Sequence, residues 1–82
     1  MGTRKILIID DEADIRAVAQ LSLEINHGWE VLTAPSGREG LVVAQDQKPD
    51  AILLDVMMPD LDGPSTWAQL QNNPLTQTIK ME

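Results

Sequence analysis

Two uninterrupted apolar runs, each ending in aspartate, constrain this chain more than any other feature of its sequence. Residues 6–9 read Ile-Leu-Ile-Ile and lead into Asp10 and Asp11, and residues 51–54 read Ala-Ile-Leu-Leu and lead into Asp55. Neither run alternates between apolar and polar residues, so we expect both to form strands that are buried on two faces, as in a parallel sheet.

Helical spacing follows the first run. At 100° per residue, five side chains fall on one narrow face, which we expect to pack against the sheet: Ile15, Val18, Ala19, Ser22 and Ile25. Gly28 is the residue type that most often ends a helix in the left-handed conformation. The pattern therefore predicts a first helix that ends just before Gly28.

Two more helices are predicted further along the chain. Ser36 and Glu39 match the capping box that opens a helix. We expect that helix to bury Leu41, Ala44 and either Val42 or Val43. Gly63-Pro64 is typical of a third helix start, because proline is tolerated at the first helical position.

The predicted elements alternate as β-α-β-α-β-α, followed by the beginning of a fourth strand. Such alternation predicts an α/β fold with a parallel sheet, right-handed crossovers and helices on both faces. The strands are expected at about 4–9, 29–34 and 50–55, and the helices at about 13–27, 36–47 and 63–73.

Asp10, Asp11 and Asp55 all stand at the carboxyl ends of predicted strands. In open parallel sheets ligands bind beyond that edge, so neighbouring strands would bring the three carboxylates together. Converging carboxylates repel one another unless a cation compensates, and their hard oxygens suit Mg²⁺ or Mn²⁺. One carboxylate beside such a cation can attack phosphorus and become an aspartyl phosphate. The alternative is that Asp10 and Asp11 only cap the next helix.

Residues 6–12, Ile-Leu-Ile-Ile-Asp-Asp-Glu, and residues 52–63, Ile-Leu-Leu-Asp-Val-Met-Met-Pro-Asp-Leu-Asp-Gly, resemble the two hallmark motifs of response regulator receiver domains. The resemblance covers nearly the whole chain. It implies a flavodoxin-like, three-layer α/β/α fold with strand order 2-1-3-4-5. It also implies that Asp55 accepts a phosphoryl group from a sensor histidine kinase or a phosphotransfer protein.

The same resemblance implies a metal site. Asp11 would bind Mg²⁺ (or Mn²⁺) directly, Asp10 would bind it mostly through water, and the backbone carbonyl of Met57 would add a ligand. Members of the family carry Ser or Thr after the fourth strand and Lys after the fifth, and the sequence ends before both positions. Residues 1–82 are therefore expected to be a C-terminally truncated receiver domain with impaired phosphorylation, a cytoplasmic phosphoacceptor rather than an enzyme.

Composition excludes several other functions. The formal net charge is -7 and the 6 basic residues are scattered, so contact with nucleic acid is not expected. No apolar run approaches the roughly 20 residues of a membrane span. The absence of cysteine excludes disulfides and thiolate zinc sites.

Two alternative functions use the same residues differently. The fold could serve as an interaction module that works without phosphorylation. A phosphatase of the haloacid-dehalogenase type is disfavoured, because that class needs an aspartate two residues after its nucleophile and Glu12 stands there. Because an unpaired apolar strand recruits other chains, we also expect a homodimer or higher oligomer.

Overall fold

Strands and helices alternate along the chain in the predicted order. The computed structural model describes residues 4–54, 63–73 and 80–81, with side chains described for 4–54 and 68–73. The elements are β1 (Lys5–Ile9), α1 (Ala13–His27), β2 (Glu30–Ala34), α2 (Gly37–Gln47), β3 (Ala51–Leu54), α3 (Gly63–Asn72) and β4 (Lys80–Met81). Over these described ranges, no helix is long and apolar enough to cross a membrane.

The strands form one parallel sheet in the order β2-β1-β3-β4. β1 lies between β2 and β3, so Ile9 is opposite Ala34 on one side and Leu54 on the other. This position explains the uninterrupted apolar run of β1, because a central strand between two helical layers has no solvent-facing side. The predicted α/β fold with a parallel sheet is confirmed.

Two helices close one face of the sheet. α2 packs on β1 and β2 and also against α3. The core on this face consists of side chains that are at most 1% exposed: Leu7, Ile9, Ala34, Ala44, Ile52 and Leu70. Val43 packs against this core and Val42 is exposed, which resolves the choice that the sequence left open.

α1 covers the opposite face, where it packs on β1 and β2. Its Ala19 and Leu23 contact a second core cluster. That cluster consists of Ile6, Ile8, Val31 and Ala51.

The buried face predicted for α1 is wrong by about a quarter of a turn. No residue of α1 is fully buried, although the structure describes the whole helix. The half-buried side chains are Arg16, Ala19, Gln20 and Leu23. Most of the apolar side chains point outward instead, with exposures of 49%, 69%, 58% and 71% for Ile15, Val18, Leu21 and Ile25, which we call the outer face of α1. The helix carries more apolar residues than one face can hold, so periodicity identified the larger set rather than the set that meets the sheet.

Local chemistry explains where the helices begin and end. Gly28 has φ 66° and its N–H donates to the carbonyl of Glu24, as the sequence predicted. Ser36 precedes α2, and its side chain accepts a hydrogen bond from the N–H of Glu39 at 3.2 Å. Lys48 ends α2 in the left-handed region with φ 46°.

Gly40 allows α2 to lie close to β1. A Cβ built on Gly40 would approach the Cγ1 atom of Ile9 to 2.7 Å, well inside van der Waals contact. Ile9 is the last residue of β1, so α2 makes this close approach at the carboxyl end of the strand.

Candidate functional site

The candidate site lies at the carboxyl edge of the sheet, where β1 and β3 end in register. Ile9 pairs with Leu54, and Asp10 and Asp55 are the next residues in the sequence. Asp10 is half-buried and Asp11 is exposed. Asp55 and Met57, the other two residues predicted for the site, lie outside the described part of the chain.

Asp10 is held by hydrogen bonds from both its main chain and its side chain. Its N–H donates to the carbonyl of Ala34 at 3.1 Å, which extends the pairing of β1 with β2 by one residue. Its Oδ1 accepts a hydrogen bond from the N–H of Glu12 at 2.9 Å. A carboxylate that accepts from the N–H two residues later forms an Asx turn, so Asp10 shapes the loop that leads into α1.

The capping alternative is therefore only partly correct. Asp10 caps the turn before α1, but the residue at the helix N-cap is Glu12, whose side chain makes no capping hydrogen bond. Asp11 stands between these two residues and projects from the loop as an exposed carboxylate. One acid thus organises the loop, and the other is accessible to a ligand.

Sequence reasoning missed Arg16 as part of this edge. Arg16 lies on the sheet-facing side of α1, and its Nη1 donates to the main-chain carbonyl of Asp10 at 2.8 Å. The available signal was its spacing of three and seven residues from Ala19 and Leu23, which puts all three on one side of the helix.

A cleft of about 260 Å³ opens beside Asp10 on the side of the sheet that α1 covers. Its walls are apolar apart from that single acid. The lining residues are Ile8, Ile9, Asp10, Ile15, Ala19, Leu53 and Leu54. The acidic edge therefore borders apolar surface that includes Ile15 from the outer face of α1.

The donor chemistry of the edge fits a hard divalent cation. Carboxylate oxygens are the ligands that Mg²⁺ and Mn²⁺ prefer, and Asp11 offers an exposed carboxylate next to Asp10. Within residues 4–54, 63–73 and 80–81 no group of three or more acids, histidines or cysteines gathers to hold a metal. Asp55, the third acid predicted for the site, lies outside those ranges.

Comparison with protein families gives a match over most of the chain. The family model described as "Response regulator receiver domain" matches residues 6–81. The match begins within β1 and includes Asp10, Asp11 and Asp55.

Individual relatives agree with that match. The alkaline phosphatase synthesis transcriptional regulatory protein PhoP of Bacillus subtilis is 45% identical over 78 residues, which are 95% of this chain and 32% of that protein. The probable transcriptional regulator ycf27 of Porphyra purpurea is 49% identical over 59 residues, 72% of this chain and 24% of that protein. This chain therefore spans a third or less of these curated relatives.

Solved structures share the fold closely. The N-terminal domain of a response regulator receiver protein from Methanoculleus marisnigri superposes with a TM-score of 0.93 at 35% identity, covering 98% of this chain and 64% of that one. The chemotaxis protein CheY4 of Vibrio cholerae gives a TM-score of 0.91 at 31% identity, covering 98% of this chain and 66% of its own. Both similarities extend over nearly all of the chain and just under two thirds of the other structure.

Proposed function

The chain belongs to the response regulator receiver domain family, the phosphoacceptor modules of two-component signalling, and from this membership we propose that Asp55 accepts the phosphoryl group. The supporting observation is the register of two neighbouring strands. β1 and β3 pair in parallel with Ile9 opposite Leu54, and each strand is followed at once by an aspartate. Neighbouring strands are about 4.8 Å apart, so acids that directly follow two paired strands would be close enough to share one ion.

We propose that Asp10, Asp11, Asp55 and the backbone carbonyl of Met57 hold Mg²⁺, with Mn²⁺ as a substitute. When bound, the cation supplies positive charge that neutralises phosphoryl oxygens. Asp11 suits direct ligation because its carboxylate is exposed. Asp10 suits a water-mediated role, because its Oδ1 already accepts the N–H of Glu12.

The proposed chemical step is a transfer between two side chains. A carboxylate oxygen of Asp55 attacks phosphorus of a phosphohistidine, the phosphorus–nitrogen bond breaks, and its electron pair returns to the imidazole. The donor is a sensor histidine kinase or a phosphotransfer protein, the partners that receiver domains have in general. Because Asp55 itself carries the product, the chain acts as a phosphoacceptor rather than as an enzyme that turns over a separate substrate.

Two finer proposals accompany this role. We place the protein in the cytoplasm, where such donors act, and assign no nucleic-acid contact to residues 1–82, because their formal net charge is -7.

Phosphoramidate tests the acceptor directly, because it carries the same phosphorus–nitrogen bond as phosphohistidine. With Mg²⁺ present, the chain is expected to gain one phosphoryl group by intact mass, and Asp55→Asn is expected to gain none. Asp46→Asn, an exposed acid on α2, is the matched control and should behave like the unmodified chain. Equal labelling of the Asp55→Asn variant would refute the assignment.

Titration with Mg²⁺, followed by tryptophan fluorescence, tests the metal site separately. Asp11→Asn is expected to weaken binding, because it replaces an anionic ligand by a neutral amide. An unmodified chain that does not respond to Mg²⁺ would favour the interaction module that works without phosphorylation.

The outer face of α1 favours a second proposal, that copies of this chain associate with each other. Ile15, Val18, Leu21 and Ile25 are each about half exposed or more and share one side of the helix. Apolar patches of this kind mark interaction surfaces. Antiparallel α1 helices would bring Asp14 of one copy towards His27 of the other, and would oppose the helix dipoles favourably. Sedimentation velocity that shows only monomer over the accessible concentration range would refute this proposal.

A further inference from the structure

Arg16 is an unusual residue for the inner side of a helix. It is half-buried between α1 and the sheet, on the same side as Ala19 and Leu23. Arginine is seldom covered unless its guanidinium has a partner. Here the partner is the main-chain carbonyl of Asp10, at 2.8 Å from Nη1.

Arg16 joins the first turn of α1 to the residue that follows β1. Its side chain bonds to the carbonyl of Asp10, and its main-chain N–H donates to the carbonyl of Glu12 at 3.1 Å. Between those two points, Asp10 Oδ1 accepts the N–H of Glu12. Asp11 lies between Asp10 and Glu12, so the two side-chain hydrogen bonds of this loop hold the backbone on either side of it.

We propose that Arg16 is a positioning residue for the carboxylates at this edge, an inference that rests on the proposed metal and phosphoacceptor site. It acts through the Asp10 carbonyl and fixes the loop from which Asp11 projects. A hydrogen bond from a charged donor is stronger than one between neutral groups, and a guanidinium keeps its geometry better than a flexible ammonium.

Charge and geometry predict opposite signs for the effect of removing Arg16. A guanidinium near a cation site repels the cation, so loss of its charge alone would strengthen Mg²⁺ binding. Loss of loop geometry would weaken binding, as happens when a residue that orients metal ligands is removed. The direction of the change therefore distinguishes a positioning role from a purely electrostatic one.

The experiment titrates Mg²⁺ alone into the full chain and three variants by calorimetry. Arg16→Ala is expected to lose about tenfold in affinity, in the range found for residues that support metal ligands. Arg16→Lys keeps the charge and one donor and should fall between Arg16→Ala and the unmodified chain. Arg4→Ala removes the same charge before β1, at the opposite end of the sheet, and should leave affinity unchanged.

A metal-free measurement keeps this inference separate from the proposed function. Hydrogen exchange of the Glu12 amide, which is bonded to Asp10 Oδ1, should be faster in Arg16→Ala and slightly faster in Arg16→Lys. A chain that binds no Mg²⁺ would refute the proposed site, while the Glu12 amide would still report whether Arg16 holds the loop.

Unchanged or tighter Mg²⁺ binding by folded Arg16→Ala would overturn the inference. So would Glu12 exchange that matches the unmodified chain. If circular dichroism shows that Arg16→Ala does not fold, Arg16→Lys replaces it as the test variant, because it retains the charge and the aliphatic stem. Affinity and Glu12 exchange both equal to those of the unmodified chain would then reject the positioning role.

Discussion

The two faces of the sheet are built from the same strands but are closed to different extents. On the face covered by α2 and α3, alternate residues of β1 reach complete burial, as Leu7 and Ile9 do. On the face covered by α1, Ile6 and Ile8 are nearly as buried, yet a cleft runs between the helix and β3. Among the described elements α1 alone lies on this face, and one helix covers only part of a four-stranded sheet, because a helix is about 10 Å across and strands are about 4.8 Å apart. The face under α2 and α3 is thus the more tightly packed, and the face under α1 is the more open to partners.

Substitutions of Ile9 and Ile8 are expected to have the largest effects and compare the two faces directly, because these residues are adjacent, identical in type and on opposite faces. Ile9→Ala is expected to lower the free energy of unfolding by about 4 kcal/mol, since the closed core cannot relax around the cavity. Ile8→Ala should cost about 2 kcal/mol, because α1, which covers the face of Ile8, has no fully buried residue and closes that face less completely. Urea unfolding followed by circular dichroism measures both. Equal losses would show that α1 closes its face as tightly as α2 and α3 close theirs.

Gly40 tests how tightly the closed face is packed. Gly40→Ala should destabilise the chain by about 2 kcal/mol, because the added methyl meets the side chain of Ile9 and forces overpacking. Thermal unfolding measures the loss.

A double-mutant cycle supplies the control for Gly40. Ile9→Val removes the terminal methyl nearest to the new Cβ and should recover part of the loss in the double variant. Strictly additive losses would contradict direct contact between these positions.

The smallest effect on folding is expected on the outer face of α1. Ile25→Gln should change the free energy of unfolding by less than about 0.5 kcal/mol, because the side chain is mostly exposed. The same variant should reduce self-association, measured by sedimentation velocity, because it replaces an apolar contact by a polar one.

Leu23→Gln is the matched control on the same helix. Leu23 packs on the sheet, so this variant should destabilise folding by about 1–2 kcal/mol. If Ile25→Gln proves the more destabilising of the two, the assignment of inner and outer faces of α1 is wrong.

The fold could be predicted largely because its strongest signals are local. The apolar runs of β1 and β3, the left-handed Gly28 and the Ser36 cap all depend on few residues. The inward direction of α1 could not be predicted from periodicity, because the larger apolar stripe of that helix faces away from the sheet. Which stripe meets the sheet depends on how the loop through Asp10 orients the helix, and that is a tertiary property.

The residue types of the candidate site could be predicted from the sequence, but the hydrogen bonds that hold Asp10 in place could not. Two strands that end in aspartate identify an acidic edge, and the register of Ile9 with Leu54 agrees with it. The hydrogen bond that occupies Asp10 Oδ1 and the contact of Arg16 with the Asp10 carbonyl follow from loop geometry, which residue types alone do not determine.

The central place of β1 has a consequence for how the chain folds. Among the described strands β1 is synthesised first, but its partner β3 begins only at Ala51. Until β3 emerges from the ribosome, β1 is an apolar strand with one edge unpaired. Bringing β3 to β1 also closes the chain between them, which costs entropy before the pairing of the two strands compensates it. Substitutions that slow the docking of α1 or α2 would therefore prolong the stage at which the nascent chain aggregates most readily, even where the finished protein is equally stable.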